Sequence, residues 1–195
     1  MKHRQYIQFK EKLFFTIDDV VNVLDIKRQS ARVMCSRYVS EGIFVRIKNN
    51  FYVLEENLKR YTRSDMMKLS NYLQVPSYIS LTTALIEWEL TSQVQVDTFE
   101  ACCRRKSQEN NAGNITFRFF KISSEYYSGF VRKNGVFIAE KEKALMDAIY
   151  LYSFGKYSLD FDALEVDKLD KKKVTKYKKY YPEKTRKIIK KVCRI

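Results

Sequence analysis

One histidine, one tryptophan, two prolines and five glycines stand in 195 residues, and each scarcity excludes something. With so little glycine and proline, the chain is neither collagenous nor low-complexity. With His3 alone, at a terminus where fraying is expected, Ser-His-Asp, Cys-His and histidine-based metal chemistry all lose their central group. The cysteines Cys35, Cys102, Cys103 and Cys193 form no C-x-x-C pair, so no structural zinc site is expected. Adjacent Cys102 and Cys103 read as structural thiols in a reducing compartment. No run of about 18 apolar residues occurs, and Met1 to Lys12 mixes charged and apolar residues without a signal-peptide core. The expectation is a cytoplasmic protein that does not span a membrane. No G-x-x-x-x-G-K-[ST] or G-x-G-x-x-G loop is present to cradle phosphates, and no cofactor is expected.

What the chain does have is apolar content and positive charge. At 45% hydrophobic and 14% aromatic it can bury a core of ordinary density, as one large domain or two smaller ones. Its 37 basic and 23 acidic side chains leave a net charge of +14. The excess is uneven. Residues 1–62 carry 12 basic and 7 acidic side chains, residues 63–167 carry 12 and 14, and residues 168–195 carry 13 and 2. A nearly neutral body with basic ends favours polyanions, nucleic acid ahead of an anionic membrane because no Trp/Phe-faced amphipathic helix accompanies the charge.

The first 62 residues read as a winged helix. Tyr6, Phe9 and Leu13 are spaced for a first helix, and Thr16 caps a second in which Asp18 and Asp19 favour the dipole and Val20, Val21 and Leu24 form the buried face. A third helix over Lys27 to Glu41 ends at Gly42. Ala31, Met34, Cys35 and Tyr38 form its inner face, and Gln29, Arg32, Ser36 and Arg37 point away. Two helices joined by a tight turn, the second basic near its start, have the geometry of a recognition helix in a major groove. Arg28, Gln29 and Arg32 are the candidate base readers, since Arg reads guanine and Gln adenine by paired hydrogen bonds. Lys27, Ser30 and Arg37 suit phosphates. Ile43 to Ile47 and Phe51 to Leu54 then form a hairpin, the wing, with Arg46, Lys48, Asn49 and Asn50 at its tip as further phosphate contacts.

The remainder, residues 63–195, reads as an α+β domain ending in basic helices. Glu55 to Leu73 continues as one helical connector that Pro76 terminates. A helix capped by Ser80 or Thr82 runs to about Glu89, Val94 to Ala101 and Ile115 to Ile122 alternate as strands, and Cys102 to Asn114 between them reads as a polar loop opening with Arg104 and Arg105. Gly135 to Ala139 is a third apolar run, leading into a helix over Glu140 to Tyr152. The tail from Lys168 to Ile195 repeats apolar residues too regularly for a solvated segment. It is expected to be helical, with Pro182 opening the last helix. Its lysines, Lys171, Lys172, Lys176, Lys179, Lys187 and Lys191, offer an additional basic surface along with Arg104 and Arg105.

A catalytic reading has one foothold. Glu140-x-Glu142-Lys143, with Asp97 on an earlier strand, has the outline of the acidic-x-Lys signature by which nucleases hold Mg²⁺ and activate water. The same glutamates at the start of a helix are explained by the dipole, and the expectation is a protein that is not an enzyme. A third reading makes the three-helix unit a protein-contact module whose partner binds the Lys-rich tail.

The residues that carry a family resemblance are Phe15-Thr16-Ile17-Asp18-Asp19 through Gly42 to Tyr52, Pro76-Ser77-Tyr78-Ile79-Ser80-Leu81 with Ala84-Leu85, and Ile138-Ala139 with Glu142-Lys143-Ala144-Leu145-Met146-Asp147. On these blocks the chain resembles the AbiEi-type antitoxins of bacterial type IV toxin-antitoxin (abortive infection) systems. The resemblance implies an N-terminal winged helix that binds repeats in its own promoter and a C-terminal domain with antitoxin activity. It also implies a nucleotidyltransferase-like toxin encoded alongside, counteracted without a stable complex. Departures from the family pattern are Lys48-Asn49-Asn50 where a basic-Gly pair is common, Trp88-Glu89-Leu90 where His-Gly is common, and Lys141 in place of a Pro. The expected partner is double-stranded DNA. The operator and the oligomeric state are not fixed by the sequence.

Overall fold

A computed structural model describes residues 3–195, with the side chains of His3 and Arg4 outside the described set. The reading of His3 as a poor ligand therefore lies outside the described residues. The chain is α+β. It opens with α1 (His3–Lys10), α2 (Ile17–Leu24) and α3 (Arg28–Ser40), followed by a hairpin of β1 (Phe44–Lys48) and β2 (Phe51–Leu54). Thr16 caps α2 as expected: its side chain accepts from the Asp19 N–H, and the Asp19 carboxylate accepts from the Thr16 N–H at 2.7 Å. Gly42, at φ +70°, follows α3 in the left-handed conformation that costs glycine nothing.

The connector is not one helix. It divides into α4 (Glu55–Leu58) and α5 (Arg63–Leu73), because Thr62 and Asp65 form a second capping box and restart the helix. β3 (Ser77–Ile79) follows the cis Val75–Pro76 peptide, and α6 (Leu81–Glu87) comes next. The expected strand from Val94 starts later: β4 is Thr98–Cys103, with Val94 and Val96 exposed in the preceding loop. The expected polar loop contains β5 (Gln108–Ala112), which lacks apolar alternation because it is an edge strand. β6 (Ile115–Lys121), β7 (Phe130–Lys133), β8 (Val136–Ala139), α7 (Lys141–Ser153), α8 (Lys171–Lys178) and α9 (Glu183–Cys193) complete the chain. The last two are the helices that the tail's spacing predicts.

Six strands form one mixed sheet in the order β5-β6-β4-β3-β8-β7, with β4/β6 and β3/β8 parallel and the other neighbours antiparallel. Arg63 of α5 lies over the Phe99 ring on one face of the sheet. On the other face α6 and α7 meet Glu100 and Tyr78 through hydrogen bonds.

Two buried clusters divide the core. Phe9, Phe15, Val20, Ala31, Cys35 and Phe44 fill the smaller one, under α1 to α3. The larger one lies about the six-stranded sheet. β2 belongs to both: Tyr52 and Leu54 point into the smaller cluster, and Phe51 and Val53 into the larger. The hairpin is thus an inner layer of the molecule, fastened further by the Phe14 ring stacked on Phe51 at 4.1 Å.

Candidate nucleic-acid interface

The turn between α2 and α3 is built by Asp25, at φ +53°, which ends α2 and lets the chain reverse in three residues. α3 then buries Ala31, Cys35 and Tyr38 against the small cluster and turns its opposite side to solvent. Burial raises the Cys35 thiol to about 11, so it is an inert packing group. Lys27, Arg28, Gln29, Ser30, Arg32 and Arg37 are all exposed.

Exposure alone does not make these side chains equivalent. Arg28 forms an ion pair with Asp18 of α2, and Arg37 lies 3.7 Å from Glu41 and over the Tyr38 ring. Among the described residues, Lys27, Gln29, Ser30 and Arg32 make no side-chain hydrogen bond or ion pair. Sequence reasoning missed Val33, which is 62% exposed between Gln29 and Arg37 on the same outer face. The signal was there: a β-branched apolar residue at a position the helical wheel turns to water. Such a methyl pair is what a thymine methyl group packs against.

The hairpin tip differs from its expected role. The Lys48 ammonium donates to the Leu73 carbonyl at the end of α5, and burial together with the Arg105 charge lowers its pKa. Asn50, at φ +57°, accepts the Ile17 N–H through its side-chain oxygen at 2.8 Å and so fixes the start of α2. Each of these side chains already has a partner inside the molecule, which a phosphate contact would have to displace. Arg46, beside the Tyr52 hydroxyl, and Asn49 remain exposed.

Farther along the chain, Arg104 donates to Ser124 Oγ at 3.2 Å, and Arg105 is exposed. On the tail, Lys187 pairs with Glu183 at 3.0 Å. Lys171, Lys172, Lys176, Lys179 and Lys191 are exposed and form no ion pair among the described residues.

The two carboxylates of the acidic-x-Lys segment converge on the tail, with Lys173 Nζ 3.7 Å from Glu140 and 4.0 Å from Glu142. Glu140 accepts from the Tyr177 hydroxyl at 3.1 Å, and Glu142 is 4% exposed and accepts the Asp170 N–H at 3.1 Å. Lys143, fully buried, forms an ion pair with Asp147 and donates to the Tyr181 hydroxyl at 3.0 Å. Asp97 lies in an exposed loop, and the described residues hold no group of three or more His, Cys, Asp or Glu placed to bind a metal. The segment therefore docks the tail onto the body. Gly129 lets the tail come this close: a Cβ there would stand 2.9 Å from the Tyr177 hydroxyl.

Asp147 is the centre of a polar cluster that sequence reasoning did not foresee. Its carboxylate accepts from the Tyr78 hydroxyl and the Ser80 hydroxyl, both at 2.8 Å, as well as from Lys143. Burial, with the Asp147 charge, pushes the Tyr78 and Tyr181 hydroxyls well above the ordinary tyrosine range. The signal was two charged residues four apart on the apolar side of a helix. No family model and no curated protein matches the chain. The fold and the site therefore rest on the residues themselves, and no helix among the described residues is long and apolar enough to cross a membrane.

Proposed function

We propose that residues 1–62 are a winged helix-turn-helix and that the protein binds double-stranded DNA sequence-specifically as a transcriptional repressor of its own operon. The observation that carries this reading is the unpartnered row Lys27, Gln29, Ser30 and Arg32 at the start of α3, presented by a three-residue turn from α2. Arg32 and Gln29 read base edges, with Val33 supplying apolar contact. Lys27, Ser30 and Arg46 hold phosphates. Arg28 and Arg37 join them at the cost of exchanging Asp18 and Glu41 for DNA. The exposed lysines of α8 and α9 add a sequence-independent attraction.

The biological setting we propose, on the resemblance described above, is that of a cytoplasmic antitoxin of a type IV toxin-antitoxin system, opposing a nucleotidyltransferase-like toxin without holding it in a stable complex.

Fluorescence anisotropy of the full chain on its own upstream DNA and on a scrambled duplex, across a salt series without Mg²⁺, tests the DNA-binding reading. Preference for the upstream DNA by about 10³-fold, with log affinity falling steeply against log salt, is the expected result. Equal weak binding to both duplexes would reassign α3 to protein contact.

A further inference from the structure

The basic tail and the unit that carries α3 are fastened to opposite faces of the sheet. Phe99 and Glu100 are neighbours on β4, so their side chains point to opposite faces. On the Phe99 side α5 holds the N-terminal unit, with the Phe14 ring 5.1 Å from Tyr72 and Lys48 donating to the Leu73 carbonyl. On the Glu100 side α7 reaches Tyr78 through Asp147, and the tail lies against α7. There the Tyr177 hydroxyl donates to Glu140 at 3.1 Å, and the Thr185 and Ser153 hydroxyls stand 2.8 Å apart. α5, the sheet and α7 thus separate the N-terminal unit from the tail, at about 8–10 Å a layer. A straight duplex seated on α3 follows one of these faces only.

Docking sorts the tail's side chains. α8 buries Val174, and α9 buries Thr185, Ile189 and Cys193. What is left outside is cationic: Lys179, Lys184, Arg186, Lys190 and Lys191 are exposed, and none forms an ion pair among the described residues. Two aromatic rings stand among these cations. Tyr180, in the turn between α8 and α9, is 68% exposed and makes no side-chain hydrogen bond or ring contact among the described residues. Phe154, just after α7, is 47% exposed, with the Lys184 ammonium 5.8 Å from its ring centroid. Charge alone would accept any polyanion, and the rings narrow the choice. A duplex keeps its base faces stacked, whereas an unpaired strand presents them, and an exposed ring stacks on a base of any sequence. An anionic membrane calls for an apolar face on the exposed helix, and α9 has turned its own to the core.

We propose that the outer face of α8 and α9 binds single-stranded nucleic acid, with Tyr180 and Phe154 stacking on bases and Lys179 and Lys184 beside them holding phosphates. Neither kind of contact reads the sugar, so RNA and DNA strands fit alike. The sequence-independent attraction of these lysines then acts on a second strand, on the opposite side of the sheet from the N-terminal unit. The proposal does not depend on duplex binding by α3.

Fluorescence anisotropy of the full chain with labelled oligo(dT) and oligo(U) of about 15 nucleotides, and with a scrambled duplex of the same length, tests it across a salt series. Both single strands are expected to saturate the protein to the same extent. Tyr180→Ala removes an exposed ring and should weaken both strands by about tenfold while leaving the scrambled duplex unchanged. Lys184→Gln should lower the salt slope for oligo(dT) by about 0.7, the count for one phosphate of a single strand. A Lys27→Ala, Arg32→Ala double variant should bind both strands as the parent does, whether or not α3 binds a duplex. The proposal is overturned if neither strand saturates up to about 100 μM, the weak end of sequence-independent binding. It is equally overturned if the folded Tyr180→Ala protein binds both strands as the parent does, or if the double variant in α3 loses them. Displacement of the strands by polyglutamate of the same length at equal concentration would leave charge as the sole attraction and overturn it too.

Discussion

α3 and α7 are both 13 residues long and both carry charge on several turns, yet they use it in opposite ways. α3 buries Ala31, Cys35 and Tyr38 and turns its cations outward. α7 buries Glu142, Lys143 and Asp147 along with its apolar residues. Positive charge in a sequence thus divides into side chains whose partners lie inside the molecule and side chains whose partners do not. Lys143 and Lys48 belong to the first group, Lys27 and Arg32 to the second. The two groups fail differently when altered, and this makes the comparison testable.

The largest effect is expected in α7. Removing one member of a buried ion pair leaves the other charged or unsatisfied, so Asp147→Ala should cost about 3–5 kcal/mol in chemical denaturation. Replacing both residues, Lys143→Met with Asp147→Leu, should recover most of that loss, because an apolar pair of similar volume carries no desolvation cost. If the double variant were as unstable as Asp147→Ala, the hydroxyls of Tyr78, Ser80 and Tyr181 would be the groups that depend on the pair.

Arg32→Ala should leave stability within about 0.5 kcal/mol, since the side chain is exposed and makes no hydrogen bond or ion pair among the described residues, and should weaken binding to the operator by about 1–3 kcal/mol. Specificity should relax at one base position, while binding to scrambled duplex changes little. Equal losses on both duplexes would make Arg32 a phosphate contact.

Lys48→Met lies between the two groups. It keeps an unbranched apolar stem but removes the ammonium that lies over the Phe51 ring and donates to the Leu73 carbonyl, which should cost about 1 kcal/mol of stability. The salt dependence of DNA binding should be unchanged, as the ammonium is occupied internally. A reduced salt slope with unchanged stability would place Lys48 among the phosphate contacts.

How much of this was legible in the sequence depends on whether a residue's partner is near it in the chain. Thr16 and Gly42 act within three or four residues, and both were read correctly. The tail helices were legible because Val174, Tyr177 and Tyr181, then Ile188, Ile189 and Val192, recur at helical spacing. β5 was not, since an edge strand of Gln, Glu and Asn residues owes its existence to β6. Glu100 and Asp147 were missed for the same reason: what buries them arrives from Tyr157 and from Tyr78 and Ser80, 57 and up to 69 residues away. At the interface, Lys48 and Asn50 read as tip residues of a projecting wing because a Lys-Asn-Asn turn is polar. The other half of the statement, that Phe51 and Val53 pack on the larger core, is not local.

The smallest and most discriminating effect should come from neighbours. Lys27 and Arg28 are adjacent, exposed and equally charged, but only Arg28 has an ion-pair partner, in Asp18. If both face phosphates, Lys27→Ala should lower the salt slope of DNA binding by about one, the count for one released cation. Arg28→Ala should lower it by less, because binding by the parent frees Asp18 as it engages the phosphate, and the carboxylate then opposes the same field. Repeating the pair in an Asp18→Asn background separates the two contributions. There Arg28→Ala should reach the full decrement while Lys27→Ala is unaltered. If Arg28→Ala already gave the full decrement with Asp18 in place, the Asp18 pair would contribute nothing to holding Arg28 in free protein, and partnered and unpartnered cations on α3 would be equivalent after all.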